Sequence, residues 1–342
     1  MNLIRLIQPT ATKDMISSAS LFAPTARRNP AQGKRALASE ALGNECRPFR
    51  FSMVVVLLAF FSTTSAHALP EAEIQRYIDE AIKAGGGEVV IPPGVHLIER
   101  GLMLKDAKKL RLIGLDAEEC VLKGGKNTPT LLLISGSCEE LRIEKLTFEG
   151  GQGAIAERPA IQTPNKFANI LIGRCFFQSQ KGSAVLLPKT EPENLEINAC
   201  SFRDIATRAV ELGESASGVQ ITHNHFTRCD SAVMLGGSQK CLIASNEISD
   251  CNNGILISGP RDKASVDQGN IIALNAIERS REVGILIHSR TLNNSVIQNE
   301  IRDSKGDGIR LFGEKHVVKA NRITSSGGKN IAVIEGKHEI QP

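Results

Sequence analysis

From residue 141 towards the C-terminus, apolar positions recur in a pattern unlike the three-to-four spacing of an amphipathic helix. An Ile or Val is followed five positions later by Phe or Ile. The first register reads Ile143, Ile172, Ile197, Ile221, Ile243, Ile272, Val296 and Val318; the second reads Phe148, Phe177, Phe202, Phe226, Ile248, Ile277, Ile301 and Ile323. In seven of the eight copies a short alternating strand follows: Val185/Leu187, Val210/Leu212, Val233/Leu235, Ile255/Ile257, Ile285/Ile287, Ile309/Leu311 and Ile331/Val333. The copies are 22 to 29 residues apart, so each predicts three short strands and leaves no room for a helix between them. Pairing each strand with its equivalent one coil away, at about 4.8 Å, lays like side chains over like. The predicted fold class is therefore all-β, a single-stranded parallel β-helix with three strands per coil.

Two further columns follow from that stacking. Two residues before the second register stand Cys175, Cys200, Asn224, Asn246, Asn275, Asn299 and Asn321. At a buried corner such asparagines are expected to hydrogen-bond along the stack, which satisfies polar groups that burial otherwise penalises. Two residues after the second register stand Asp204, Arg228, Asp250, Arg279 and Asp303, alternating in sign, which predicts an ion-pair ladder. Ahead of the repeats, Glu71 to Lys83 is amphipathic, with Ile74, Tyr77, Ile78, Ala81 and Ile82 on one face. A short helix there is expected to cap the open N-terminal end of the solenoid.

The first 68 residues read differently. Arg47 and Arg50 precede the apolar run Met53 to Phe61, and the small-residue triplet Ala66-His67-Ala68 follows, the pattern of a secretory signal cleaved after Ala68. The run is far short of the roughly 20 residues that span a bilayer as a helix, so no membrane span is expected after cleavage. The organisation expected is thus a leader over 1–68, a cap helix within 69–84 and a β-helix domain over 85–342, in a protein that is secreted, periplasmic or at the cell surface. Without the leader the chain holds 33 basic against 34 acidic residues, so the formal charge of +4 gives no source for phosphate-backbone binding, and no nucleic-acid partner is expected. Seven cysteines remain, none in the paired spacing of a zinc site, and no metal centre is expected. Their odd number leaves at least one without an internal partner, while Cys229 and Cys251, at equivalent positions of adjacent coils, read equally well as a disulfide or as stacked free thiols.

The stretch Gly85-Gly86-Gly87-Glu88-Val89-Val90-Ile91-Pro92-Pro93-Gly94-Val95-His96-Leu97-Ile98 closely resembles the opening of the pectin-lyase-like superfamily, where a helix leads through a glycine turn into the first strand. With the later repeats, the resemblance covers about residues 70 to 336 and implies a right-handed β-helix. It also implies a functional surface on the outer face of the sheet built here by the Val-x-Leu strands. The superfamily holds pectate lyases, polygalacturonases, alginate lyases, epimerases and non-catalytic members, so the fold does not choose among them. The paired aspartates of polygalacturonases and the Asp-Pro-His of the epimerases are absent, and His288-Ser289 and Arg322-Ile323-Thr324 are only faint echoes of polygalacturonase elements.

On the implied face, Leu186, Pro188, Glu211, Met234, Leu256, Ser258, Leu286, His288, Arg310 and Phe312 point outward. Glycoside hydrolysis uses two carboxyl groups, and Glu211 is the single strand carboxylate there, which disfavours a hydrolase. An eliminating lyase needs a base and cations against a uronate. His288, Arg310, Lys189 and Glu211 are the candidate catalytic group, with Arg261 and Lys263 of the loop Ser258 to Gly269 as candidate substrate ligands. The absence of Trp and the presence of one Tyr weigh against neutral sugars and favour an anionic glycan held by Arg and Lys. The alternative class is a non-catalytic scaffold that meets a partner or a second copy through Leu186, Met234, Leu256 and Leu286. No cofactor is predicted; calcium is compatible with the composition, but no ligand spacing points to it.

Overall fold

The computed structural model describes residues 68–157, 166–188, 191–214, 216–260 and 266–341. The apolar run 53–61 and the candidates Lys189, Arg261 and Lys263 lie outside them. The helix predicted near the N-terminus spans Glu71–Lys83 and buries Ile74, Tyr77, Ile78 and Ala81 against the first coil. The Glu71 carboxylate accepts from the backbone N–H groups of Glu99, Arg100 and Gly101 at 2.8–3.3 Å, which ties the helix to the turn ahead of Leu102. Gly86, at φ +131°, makes the exit turn: a Cβ there would stand 2.7 Å from the Lys109 carbonyl oxygen, a contact no side chain tolerates.

Three parallel sheets then wind around one core. An Ile/Val sheet of twelve strands runs from Gly87–Ile91 to Glu339–Gln341, a Phe/Ile sheet of ten from Gly94–Ile98 to Arg322–Thr324, and a Val-x-Leu sheet of ten from Leu102–Lys105 to Ile331–Val333. Each strand pairs with its equivalent in the next coil, so the chain is a right-handed parallel β-helix of about ten turns. The registers agree with the repeat residue for residue: Ile143, Ile172, Ile197 and Ile221 are consecutive partners, as are Phe148, Phe177, Phe202 and Phe226. The four phenylalanine rings are fully buried and stack with centroids 4.6–5.1 Å apart and planes within 10°.

The asparagine column is continuous. Asn224, Asn246, Asn275, Asn299 and Asn321 link Nδ2 to the next Oδ1 at 2.9–3.1 Å. Each Nδ2 also donates to a carbonyl of the Ile/Val column, and each Oδ1 accepts the backbone N–H of the preceding member, beginning with Cys200. A second corner ladder, beyond the two columns expected above, stands two residues before the Ile/Val positions. Its N–H groups run from Cys241 to Asn270 Oδ1, from Asn270 to Asn294 Oδ1, from Asn294 to His316 Nδ1 and from His316 to His338 Nδ1.

The charged column forms two bidentate pairs, Arg228 with Asp204 at 2.6 and 2.8 Å and Arg279 with Asp250 at 2.8 and 2.9 Å. The hydrogen bonds from these arginines hold both carboxyls below the usual carboxylate range. All four residues sit at left-handed corners, with φ between 52° and 57°, and face solvent. Screening therefore limits their worth: Asp250→Asn is expected to lower unfolding stability in urea by less than about 1 kcal/mol, and by still less in high salt.

Candidate functional site

The outward row of the Val-x-Leu sheet is set by strand register, with Leu186 opposite Glu211, then Met234, Leu256, Leu286 and Arg310 in consecutive coils. Alternation along each strand leaves these side chains outside because their neighbours Val210, Leu212, Ile285 and Ile287 fill the core. Four coil steps separate Glu211 from Arg310, roughly 19 Å at about 4.8 Å per step, and three apolar side chains fill the interval. Those two groups therefore do not meet. His288 and Arg310 are closer in register: Arg310 lies opposite Leu286, two residues before His288, which makes the two diagonal neighbours on adjacent strands.

The immediate surroundings of each candidate are defined. Glu211 accepts from the Ser183 hydroxyl at 2.9 Å, and Ser183 is linked to Thr207 at 3.0 Å. Arg310 Nε donates to Asp307 at 2.6 Å, while the other Asp307 oxygen accepts the Lys329 N–H at 2.8 Å. Although partial burial opposes it, these contacts hold the Asp307 carboxyl below its ordinary range. His288 is exposed, bonds Ser289 through Nδ1 at 3.1 Å and lies flat on Phe312, with ring centroids 5.4 Å apart and planes 17° from parallel. The two rings each stand one residue past the aligned pair Ile287 and Leu311, so the coil register brings them together. The apolar row Leu186, Met234, Leu256 and Leu286 is half-buried by its own neighbours. Larger exposure of apolar groups occurs on the Ile/Val sheet and its corner, at Ile271 and Leu274.

The groups able to bind a soft metal are mostly committed elsewhere. Cys120, Cys138, Cys175, Cys200, Cys229, Cys241 and Cys251 are buried free thiols, so the stacked reading of Cys229 and Cys251 holds over the disulfide. Burial pushes the Cys241 thiol up to about 11 and Cys175 well above its ordinary value, and the hydrogen bond with Cys251, reinforced by burial, pushes Cys229 up. His96, His316 and His338 each use both ring nitrogens on backbone or hydroxyl partners, and His225 uses its two on Glu247 and Thr227.

A right-handed β-helix with an open, cation-bearing outer face belongs to a large structural class. Its members here include the A-module of the mannuronan C-5 epimerase AlgE6 of Azotobacter vinelandii, at TM-score 0.60, 16% identity and coverage of 77% of this chain and 75% of that one. They also include an exopolygalacturonase from Thermotoga maritima, at TM-score 0.52, 11% identity and coverage of 79% and 92%. PfbA, a surface adhesin of Streptococcus pneumoniae, matches at TM-score 0.50, 14% identity and coverage of 78% and 91%. At these identities the likeness shows the fold alone. A search among curated proteins finds no significant match. Residues 167–341 match the family described as periplasmic copper-binding protein (NosD), and the chain belongs to that family. The donor set does not fit the metal in the family's description, since among the described residues no three His, Cys, Asp or Glu side chains converge. No helix among the described residues is long and apolar enough to cross a membrane.

Proposed function

We propose that this protein is exported to the periplasm, through the leader ending at Ala68, and there binds an extended anionic polysaccharide along the outer face of its Val-x-Leu sheet. The observation that carries the reading is the flat His288–Phe312 ring pair, His288 exposed and Phe312 half-buried, on the same face as Arg310. A ring pair offers a planar surface for a sugar, and a guanidinium presents forked donors to a uronate carboxylate. Arg261, Lys263 and Lys189, which lie outside the described residues, would add cations that suit the same ligand. If the bound glycan is processed, elimination suits the residues better than hydrolysis. His288 shares a face with Arg310, a cation suited to a uronate, whereas Glu211 lacks the second carboxyl group that hydrolysis requires.

Titration with pectate, alginate and glycosaminoglycans, followed by calorimetry, tests the reading. One of the anionic polymers is expected to bind, and Phe312→Ala and Arg310→Ala are each expected to weaken it about tenfold, the scale of one desolvated contact. Absorbance of an unsaturated product reports elimination in the same samples. No binding across the panel sinks the proposal.

The second reading, a non-catalytic scaffold, draws on the apolar row Leu186, Met234, Leu256 and Leu286 together with the exposed Ile271 and Leu274. Light scattering tests it, since Met234→Asp should then reduce self-association or partner capture.

A further inference from the structure

The interior column of the Phe/Ile sheet is apolar in every coil but the first. Leu122 pairs with Phe148 and the stack continues through Phe177 to Ile323, yet the residue heading the column, opposite Leu122, is His96. An imidazole with no exposed surface is costly in such a place unless both nitrogens are bonded. Nε2 lies 2.8 Å from the Pro92 carbonyl oxygen, which only accepts, so the proton is on Nε2 and the lone pair on Nδ1. The Nδ1 partner is the backbone nitrogen of Leu69, 2.8 Å away. Leu69 itself is half-buried and packs on the core, while Ala68, the residue before it, is exposed.

That nitrogen belongs to the bond which the leader pattern marks for cleavage. We infer that His96 is a built-in receptor for the mature N-terminus, holding the α-ammonium of Leu69 after the leader is removed. Hydrolysis of the Ala68–Leu69 peptide bond consumes one water, leaves a carboxylate on Ala68 and turns the Leu69 amide nitrogen into a primary amine that takes up a proton at neutral pH. The same nitrogen then donates to the same Nδ1 as a charged donor, and a charge-assisted hydrogen bond is stronger than the amide bond it replaces. Pro70, extended at φ −61° and ψ 144°, fixes the short path from Leu69 into the helix and so limits where the amine can go. The polar head of the column is thereby explained by processing, because a Leu at position 96, matching Leu122 beneath it, would leave the new terminus without its acceptor.

The test uses the protein recovered from the periplasm or culture medium. Mass spectrometry of the intact chain is expected to show Leu69 as the first residue. An amine-reactive ester at neutral pH, read by peptide mapping, is expected to label the Leu69 α-amine about tenfold more slowly than the same amine in a free Leu-Pro-Glu-Ala peptide. In His96→Leu, which keeps the apolar column, the rate should rise to that of the peptide, and far-ultraviolet circular dichroism confirms that the variant is folded. A mature chain starting elsewhere, or a wild-type α-amine labelled as fast as the free peptide, overturns the inference. The wild-type comparison decides even if the variant fails to fold.

Discussion

Asn275→Ala is expected to cost about 4 kcal/mol of unfolding stability, although the substitution removes only a small side chain. The Asn275 amide accepts from the Asn246 backbone N–H at 3.0 Å and from Asn246 Nδ2 at 2.9 Å, and it donates to Ile243 O and Asn299 Oδ1, both at 2.9 Å. All of these groups are buried, so water cannot replace what the alanine lacks, and each donor or acceptor left unpaired costs about 1–3 kcal/mol. Asn321 is the contrasting case. It makes the same kinds of bond but stands partly in solvent at the end of the column, so Asn321→Ala should cost about 1 kcal/mol. Asn275→Asp keeps the shape but points a carboxylate at two oxygens; at neutral pH it should destabilise at least as much as Ala, with relief on acidification as the carboxyl gains a proton. Urea unfolding followed by circular dichroism measures all three. Equal small losses at both column positions would falsify the ladder as a source of stability.

Acidification supplies the second large effect, through His316. Burial, with the nearby His338 charge adding to it and the Phe312 carbonyl opposing, pushes this imidazole down to about 4, and the ring has no exposed surface. Its neutral form is the one the structure uses, with Nδ1 accepting the Asn294 N–H and Nε2 facing Phe312 O at 2.9 Å. Because the folded value lies below the unfolded one of about 6.5, the contribution is fully present above that pH and disappears as pH falls towards 4. A shift of this size corresponds to about 3 kcal/mol. His316→Asn continues the column with the residue found at Asn270 and Asn294, and it should flatten the loss between pH 6.5 and 4. The lowered carboxyls Asp204, Asp250 and Asp307 lose stability in both proteins as they protonate, so the difference between wild type and variant isolates His316. Identical pH profiles for the two proteins would show that His316 is not the group responsible.

The candidate site was legible only in part. Which strand faces outward at Leu186, Glu211, Leu286 and Arg310 followed from alternation alone. The coil count between Glu211 and Arg310 followed from the strand repeats as well; what did not follow was the polar partner each would take, Ser183 for Glu211 and Asp307 for Arg310. The rings of His288 and Phe312, 24 positions apart in the chain, share a column by the same repeat, and the structure adds that they stack face to face.

By itself the sequence determined the architecture, since a side chain that recurs once per coil has no stable place except over its equivalent. The Ile/Val and Phe/Ile columns and the asparagine ladder are consequences of that local rule, and the cap helix follows from its own amphipathic face. Tertiary structure decided what depends on corners of irregular length. The ladder from Asn270 through His316 stands two residues before the Ile/Val position of each coil, and the winding decides which hydrogen bonds its mixed Asn and His side chains make. His96 reads in sequence as an ordinary strand residue, and only the closed first coil reveals that it occupies an apolar column and bonds the nitrogen of Leu69. Periodicity fixes which residues stack, while the length of each corner fixes which polar groups meet, and this protein's candidate chemistry lies in those meetings.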